Sequence, residues 1–226
     1  MSKDSFLWEG HDRYVTRLKD LTLGSSTVLF YRERKSHQGI GKLKQIERLG
    51  ARMVDQAFLD ELSELEGLEE LKLEGVSAGD LSPISNLKNL RTLRLRDVSE
   101  ISNFEVVIDL PNLEGLYIEN AKHLHALDVL GGLQHIRRLG VEGGMYNSQR
   151  LASLAPLAKL KGLEELYMSS VSLDDKVLSY LIDLPRLKVL RCARFAPKSE
   201  FDNLRNYMPH LECDWCDNYE IMVSPN

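Results

Sequence analysis

Apolar residues recur along the chain in the pattern L-x-x-L-x-L, where L is leucine or another apolar residue and x is any residue. Seven copies follow one another at spacings of 22, 22, 23, 23, 27 and 24 residues. The copies begin at Ile46, Leu68, Leu90, Leu113, Ile136, Leu163 and Leu187, and a partial copy begins near Leu211. A period of this length indicates a stack of short structural repeats.

Within each copy, counted from its first apolar residue, positions 4 and 6 are apolar and alternate with polar residues. This alternation predicts a short strand with one buried side. The residues between two strands return along the side of the repeat opposite the strand. Two of these return segments, DDKVLSYLIDLP and KSEFDNLRNYMP, favour a helical or 3₁₀ conformation that ends at proline. Because one repeat cannot cover its own apolar side, the repeats must stack on one another.

The spacing resembles that of leucine-rich-repeat proteins over about residues 46–216. The repeat length is similar to that of internalins and of the leucine-rich-repeat regulators of a protein phosphatase, and the chain also resembles free-standing bacterial leucine-rich-repeat proteins. The resemblance implies an α/β solenoid with a curved parallel β-sheet on its concave face and helices or 3₁₀ turns on its convex face. Asparagine or cysteine, common at position 9 in such proteins, is absent here. Position 9 is occupied by Val54, Val76, Val98, Ala121, Gly144, Val171 and Phe195.

The stack needs a cover at each end. We expect an N-terminal cap over residues 1–45, about seven repeats over 46–210, and a C-terminal cap over 211–226. The segments RYVTRLKDLTL and TVLFYRERK predict a β-hairpin in the N-terminal cap, with Phe6, Trp8 and Phe30 on its apolar side. Trp215 and Tyr219 are expected to close the last repeat.

Charge and composition narrow the classes of partner. The chain has 29 basic and 34 acidic residues, a net charge of −5, which argues against nucleic-acid binding. No stretch approaches the roughly 20 apolar residues that cross a bilayer. Three cysteines suit a reducing compartment better than a disulfide framework. We therefore expect a cytoplasmic monomer without a membrane or nucleic-acid partner.

Position 2 alternates in charge from repeat to repeat. Its residues are Glu69, Arg91, Glu114, Arg137, Glu164 and Lys188. Neighbouring strands lie about 4.8 Å apart, so equivalent residues become direct neighbours and attract. A structural lattice of ion pairs is the favoured interpretation, and a charge mosaic that faces a partner is the alternative.

Position 5 interrupts this lattice with two tyrosines, Tyr117 and Tyr167, on either side of Gly140. The longest repeat adds the loop EGGMYNSQR beside them, with Met145 and Tyr146. Aromatic residues and methionine are enriched at binding hot spots. The hypothesis is a partner-binding surface with these side chains at its centre and arginines around it, the alternative being that the tyrosines only cover backbone. The candidate residues are Tyr117, Tyr167, Tyr146, Met145, Arg94, Arg96, Arg138 and Arg191.

A second candidate site is the CxxC motif Cys213–Cys216, with Cys192 and His210 near it in sequence. Cys192 occupies position 6 and is interpreted as core. Zinc binding would need more ligands than a single CxxC supplies. A redox CxxC usually follows a strand and opens a helix, and a place in the C-terminal cap argues against that chemistry.

The sequence therefore predicts a module that binds a partner protein through its concave face, with no catalytic constellation and no cofactor. Immunity against a toxin, regulation and scaffolding all remain open within this class. A metal- or thiol-dependent site at the CxxC is the alternative function.

Overall fold

A computed structural model describes residues 14–223 of the chain. These residues form two compact units, which divide between His123 and Leu124. In both units the dominant structure is parallel β-sheet, with 3₁₀ and α-helical segments between the strands.

The described part of the first unit, residues 14–123, contains five parallel strands, each paired with the next in chain order. They are β1 (Thr27–Tyr31), β2 (Arg48–Val54), β3 (Glu70–Val76), β4 (Thr92–Val98) and β5 (Gly115–Ala121). The pairing register joins position 4 of each repeat to position 4 of the next, so that Leu71 opposes Leu93 and Leu93 opposes Leu116. The repeat pattern in the sequence is therefore also the register of the sheet.

In the second unit, β6 (Arg138–Glu142), β8 (Glu165–Met168) and β10 (Val189–Cys192) pair in parallel in that order. A separate parallel pair joins β7 (Gln149–Leu151) to β9 (Val171–Leu173).

Residues 14–223 contain three α-helices: α1 (Gln56–Leu62), α2 (Lys198–Tyr207) and α3 (Asp214–Val223), the last interrupted by non-helical backbone at Asn218. The return segments otherwise form 3₁₀ turns. These turns are Leu18–Asp20, Ile40–Lys42, Ser82–Asn86, Glu105–Asp109, Leu130–Gly132, Ala155–Lys159 and Ser179–Asp183. The helical or 3₁₀ conformation predicted for DDKVLSYLIDLP and KSEFDNLRNYMP is confirmed.

The core consists of the apolar repeat positions. Every residue at positions 1 and 4 of the seven repeats is buried, and so is every residue at position 6 except Cys192. A buried leucine contributes about 1.5–3 kcal/mol relative to an exposed one, so each repeat gains most of its stability from contact with its neighbours.

The predicted N-terminal hairpin is wrong. Val15 pairs with Phe30 in parallel, and β1 pairs in parallel with β2, whereas a hairpin is antiparallel. Val28 and Phe30 are buried opposite Leu49 and Ala51, so TVLFY behaves as the strand of one more repeat. Phe6 and Trp8 lie outside the described residues.

At the other end, Trp215 and Tyr219 pack with Phe201 of α2, with ring centroids 5.7–6.3 Å apart. This cluster covers the apolar side of α2, where Phe201 is fully buried.

A residue in the left-handed conformation recurs at position 8 of five repeats, which in β2 to β5 is one residue before the strand ends. Met53, Asp97, Asn120 and Ser170 have φ between 50° and 61°, and Gly75 has φ 64°. Glycine adopts this conformation without strain, and asparagine and aspartate adopt it more readily than most residues.

After this bend, main-chain hydrogen bonds join each repeat to the preceding one. The amide of the residue that follows position 9 donates to the position 9 carbonyl of the preceding repeat: Ser77 to Val54 (2.9 Å), Ser99 to Val76 (3.2 Å), and Lys122 to Val98 (3.1 Å). Because these bonds satisfy main-chain groups beside position 9, valine and alanine can be buried there without a polar side chain.

The charge alternation at position 2 produces ion pairs. Arg91 lies 3.6 Å from Glu114, and Glu164 accepts from both Arg137 (3.2 Å) and Lys188 (2.6 Å). Most of these side chains are well exposed, so each pair contributes no more than about 1 kcal/mol.

Glu164 makes this lattice sensitive to pH. The hydrogen bond from Lys188, together with the charges of Lys188 and Arg137, lowers the pKa of Glu164 below its ordinary value of 4.5. A carboxylate whose pKa is lowered in the folded state stabilises that state above its unfolded pKa, and the stabilisation is lost as the pH falls through the folded pKa.

We expect Glu164→Gln to flatten the fall in melting temperature below pH 5, measured by circular dichroism. Glu66→Gln, at an exposed loop position, is the matched control, and identical pH profiles for wild type and Glu164→Gln would contradict the assignment.

The left-handed bend gives a second prediction. At Gly75 an added Cβ would meet no atom closer than 3.6 Å, so Gly75→Ala tests backbone strain alone. We expect a loss of about 1–2 kcal/mol in the free energy of unfolding, measured with urea. The control is Gly79→Ala, where a Cβ meets nothing within 4 Å and φ is not positive. An equal effect at both positions would show that the bend carries no strain.

Candidate partner-binding surface

The candidate residues fall on the outward side of the strands and on one loop. Arg94 and Arg96 are on β4 and Tyr117 is on β5, all in the first unit. The second unit holds the other five. They are Arg138 on β6, Met145 and Tyr146 in the loop before β7, Tyr167 on β8 and Arg191 on β10. Within each unit the position 5 residues are direct partners in register: Arg94 opposes Tyr117, and Tyr167 lies between Gly140 and Arg191.

In the first unit the candidate arginines are engaged within the chain. The Arg94 guanidinium lies 6.0 Å from the centre of the Tyr117 ring and 3.2 Å from a carboxylate oxygen of Glu119. Arg96 also reaches Glu119, at 3.1 Å. Arg94 and Glu119 are only 12% and 16% exposed, so this cluster is packed against the sheet.

A second alternating row of charge explains this packing. Position 7 of four successive strands carries Arg52, Glu74, Arg96 and Glu119, which are aligned in register. Glu74 is 7% exposed and pairs with Arg52, with Lys72 at 2.8 Å and with Arg96 at 4.0 Å. The alternation of charge at position 7 is visible in the sequence, but the predicted lattice of ion pairs included position 2 alone.

The electrostatics of Glu74 follow from these partners. Burial acts to raise the pKa of Glu74, but hydrogen bonds and charge from Lys72 and Arg52 outweigh it, and the pKa is lowered. Tyr14 covers the end of the row, with the Arg52 guanidinium 4.2 Å from its ring centre, and burial raises the pKa of the Tyr14 hydroxyl. Much of the charge on this face is therefore neutralised by neighbouring strands.

In the second unit, the Tyr167 hydroxyl donates to Glu165 at 2.7 Å, and the ring is half-buried beside Gly140. Arg191 forms ion pairs with Glu212 and, at 3.7 Å, with Asp214. The polar groups of this surface are thus also held in place by the chain itself.

The loop before β7 differs from the strands in that its apolar side chains are almost fully exposed. Met145 is 81% exposed and Tyr146 is 91% exposed. They are among the most exposed large apolar side chains of the described residues, and they are adjacent in sequence.

The base of this loop is fixed by backbone contacts. Gly143 donates to the Ser169 carbonyl (3.0 Å), and the Gln149 amide and the Ser148 hydroxyl donate to the Ser170 carbonyl (2.8 and 3.1 Å). A Cβ on Gly143 would lie 2.3 Å from the Ser170 carbonyl oxygen and 2.4 Å from that of Asn147. The loop therefore presents Met145 and Tyr146 from an anchored base. The length of the loop is visible in the sequence, but the contacts through which Gly143, Ser170 and Gln149 support it are not, because they join residues from different repeats.

The structure corrects one interpretation near the C-terminal CxxC, because Cys192, expected in the core, is only half-buried. The motif lies between Glu212, which forms an isolated parallel bridge with Val189, and the first turn of α3, which begins at Asp214. His210 Nε2 lies 3.2 Å from the carbonyl oxygen of Leu187.

Residues 14–223 contain no group of three or more His, Cys, Asp or Glu side chains arranged to hold a metal ion. None of the helices in this part of the chain has the length and apolar character needed to cross a bilayer.

Comparison with known proteins supports the fold. No family model matches the chain, and no curated protein matches its sequence. Among solved structures, internalin C2 from Listeria monocytogenes is similar over 75% of this chain and 72% of its own, with 27% identity and a TM-score of 0.53. A leucine-rich-repeat protein of Leptospira interrogans is similar over 83% of this chain and 47% of its own, with 20% identity and a TM-score of 0.62.

A third similar structure is the Toll–Spätzle complex of Drosophila, matched over 74% of this chain and 23% of that one, with 15% identity and a TM-score of 0.55. Leucine-rich-repeat proteins are generally modules that bind other proteins. The stacked parallel strands, their 22- to 27-residue period and these structural likenesses identify the chain as a leucine-rich-repeat protein with short repeats.

Proposed function

We propose that this chain is a protein-binding module whose principal contact in the second unit is the loop that carries Met145 and Tyr146. The observation that carries the proposal is the exposure of these two side chains, 81% and 91%, on a loop whose base is fixed by the Ser169 and Ser170 carbonyls.

Two physical arguments favour a protein partner. Tyrosine and methionine are enriched in the desolvated centres of interfaces, where burial of a large side chain supplies much of the affinity. An anchored loop also loses less conformational entropy on binding than a mobile one. The cost of exposing apolar area in the free chain is then offset when the partner covers it.

The other candidate residues are proposed as further contacts within their own units. Tyr167 and the neighbouring Gly140 offer a flat aromatic contact, and Arg138 and Arg191 supply positive charge in the same unit. In the first unit the proposed contacts are Tyr117, Arg94 and Arg96. Because Arg94, Arg96 and Arg191 already hold carboxylates of the chain, we expect them to contribute to specificity and orientation more than to affinity.

The proposed binding role is compatible with toxin neutralisation, enzyme regulation or scaffolding. These roles differ in what binding does to the partner. Loss of the partner's own activity on addition of the purified chain is the expected result for an immunity protein or inhibitory regulator, and unchanged activity is the expected result for a scaffold.

The contact is tested by site-specific crosslinking in the native host. A photoreactive amino acid replaces Tyr146 in one variant and Leu23, which is fully exposed in the first unit, in a control variant. We expect a discrete adduct from position 146 and no adduct of the same mass from position 23. Mass spectrometry of the adduct identifies the partner. Adducts of equal yield from both positions would contradict a localised contact.

With the partner identified, Met145→Ala combined with Tyr146→Ala is expected to weaken binding at least tenfold, measured by calorimetry. A tenfold loss corresponds to about 1.4 kcal/mol. Ile108→Ala, at another exposed apolar residue, is the control for nonspecific loss of apolar surface. Unchanged affinity in the folded double variant would remove this loop from the interface.

Gly143 supplies an independent test. We expect it to affect binding indirectly, by supporting the conformation of the loop that carries Met145 and Tyr146. An added Cβ cannot fit between the Ser170 and Asn147 carbonyls, so Gly143→Ala must displace the loop. We expect a loss of affinity comparable to that of the double variant, with the unfolding transition still cooperative. Gly79→Ala is the matched control. Full affinity in Gly143→Ala would show that loop conformation does not matter to binding.

A further inference from the structure

Strand β9 forms one edge of the small parallel sheet in the second unit, with β7 on one side of it. In a parallel pair, alternate residues direct both of their main-chain groups towards the same neighbour. The Gln149 amide donates to the Ser170 carbonyl at 2.8 Å, and the Asp174 amide donates to the Leu151 carbonyl at 2.9 Å. The even-numbered residues of this segment therefore face β7. The main-chain groups of the odd-numbered residues of β9 point to its other edge.

This other edge, which belongs to Val171 and Leu173, is open. Within the described residues, 14–223, the main-chain hydrogen bonds of β9 run to β7, and none joins Val171 or Leu173 to a further segment. An open strand edge presents a row of amides and carbonyls to which another extended chain can bind.

The next repeat does not supply the missing strand. With the repeat spacing of 24 residues, the residues equivalent to β9 are 195–197. The Phe195 amide donates instead to the Ala193 carbonyl at 2.9 Å, Pro197 has no N–H, and α2 begins at the following residue. The sequence of the last repeat thus ends the small sheet at β9.

A groove of about 570 Å³ lies between β9 and this segment. Residues 171–173 and 175–177 line one side of it, and residues 194–197 with Glu200 line the other. Its apolar lining includes Val171, Leu173, Phe195 and Ala196, which are only 3–6% exposed. The open edge therefore borders a cleft that an apolar side chain can enter.

Four charged side chains line the groove, and they differ in whether the chain already engages them. Asp175 and Glu200 each accept a hydrogen bond from a main-chain amide, at 3.1 and 2.7 Å. Lys176 and Arg194 are exposed, and neither forms an ion pair with residues 14–223. Lys176 follows β9, while Arg194 is the repeat equivalent of Ser170, which precedes β9. Unengaged positive charge is thus available near both ends of the open edge.

These features match an extended peptide of particular chemistry. A peptide that adds to a strand edge gains affinity from main-chain hydrogen bonds, and pockets for alternate side chains provide specificity. Carboxylates near the two ends of the peptide would complement Lys176 and Arg194. A second copy of the chain fits less well, because its own β9 has β7 on one side and its own groove wall on the other.

We propose that this groove binds an extended, acidic segment of a partner protein, which adds to β9 as a third strand. The segment inserts an apolar side chain between β9 and residues 195–197 and carries a carboxylate near each end. The inference goes beyond the contact proposed at Met145 and Tyr146 and does not depend on it.

The experiment uses the full chain, labelled with nitrogen-15, and synthetic peptides of about seven residues, a common strand length. Each peptide alternates threonine with valine, leucine or isoleucine, and each is made with glutamate at both ends and, as a matched control, with lysine at both ends. We expect the glutamate peptides to slow hydrogen exchange at the Val171 and Leu173 amides and to bind about tenfold more tightly than the lysine peptides. Protection of neither amide by any glutamate peptide, or equal binding of both sets, would overturn the proposal.

Charge reversal tests whether the groove itself attracts the peptide. Arg194→Glu and Lys176→Glu are each expected to weaken binding of the glutamate peptides about tenfold and to strengthen binding of the lysine peptides. Lys159→Glu makes the same change of charge at an exposed residue of the second unit that does not line the groove. Equal losses in all three variants would show that net charge, and not this groove, governs binding.

The free chain provides a further test of the open edge. We expect rapid hydrogen exchange at the Val171 and Leu173 amides when no peptide is present. Slow exchange in a chain that is monomeric by gel filtration would overturn the proposal in favour of coverage by the chain itself. Slow exchange in a dimer would overturn it in favour of a second copy.

Discussion

The parallel backbone ladder that joins one repeat to the next is the interaction on which the rest of the structure depends. It aligns position 4 of one repeat with position 4 of the next, as for Leu71 and Leu93, and thereby places every other repeat position in a row. The apolar rows form the core, the charged rows form ion pairs, and the bends at position 8 fall in line. A change that shifted the register by one residue would move the leucines to the outward side and break all of these rows at once.

How far the sequence predicts this structure depends on whether the determining contacts are periodic. Burial at positions 1, 4 and 6 follows from the 22- to 27-residue period, because each repeat supplies the environment of the next. The N-terminal strand was misinterpreted because TVLFY has the alternation of any half-buried strand, and alternation does not show the direction of pairing. Cys192 was misjudged because its environment comes from the non-repeating C-terminal residues, Cys213 and Trp215. The exposure of Met145 and Tyr146 depends on carbonyls of Ser169 and Ser170, more than twenty residues further along the chain, so the length of the loop could be predicted but not its conformation.

The charged rows bear on how such a surface recognises a partner. Glu74 in the first unit and Glu164 in the second each pair with basic side chains on both sides, so these charges are already engaged within the chain. Under the proposed function, a partner would meet a pattern of both signs and gain little from net charge alone. We therefore expect selectivity to come from matching that pattern and affinity to come from uncharged groups.

The left-handed bend at position 8 has a consequence for how this molecule can change. Strands β2 to β5 end one residue later, at position 9, where pairing with the next repeat completes the ladder before the return segment begins. Residues inserted beyond that point leave the pairing of the strands undisturbed, as the 27-residue repeat shows, since its extra length falls in the loop between β6 and β7 while β6 still pairs in register with β8. A designer can therefore vary this one segment, by grafting foreign sequences between Gly144 and Ser148, while the paired strands on either side keep their register.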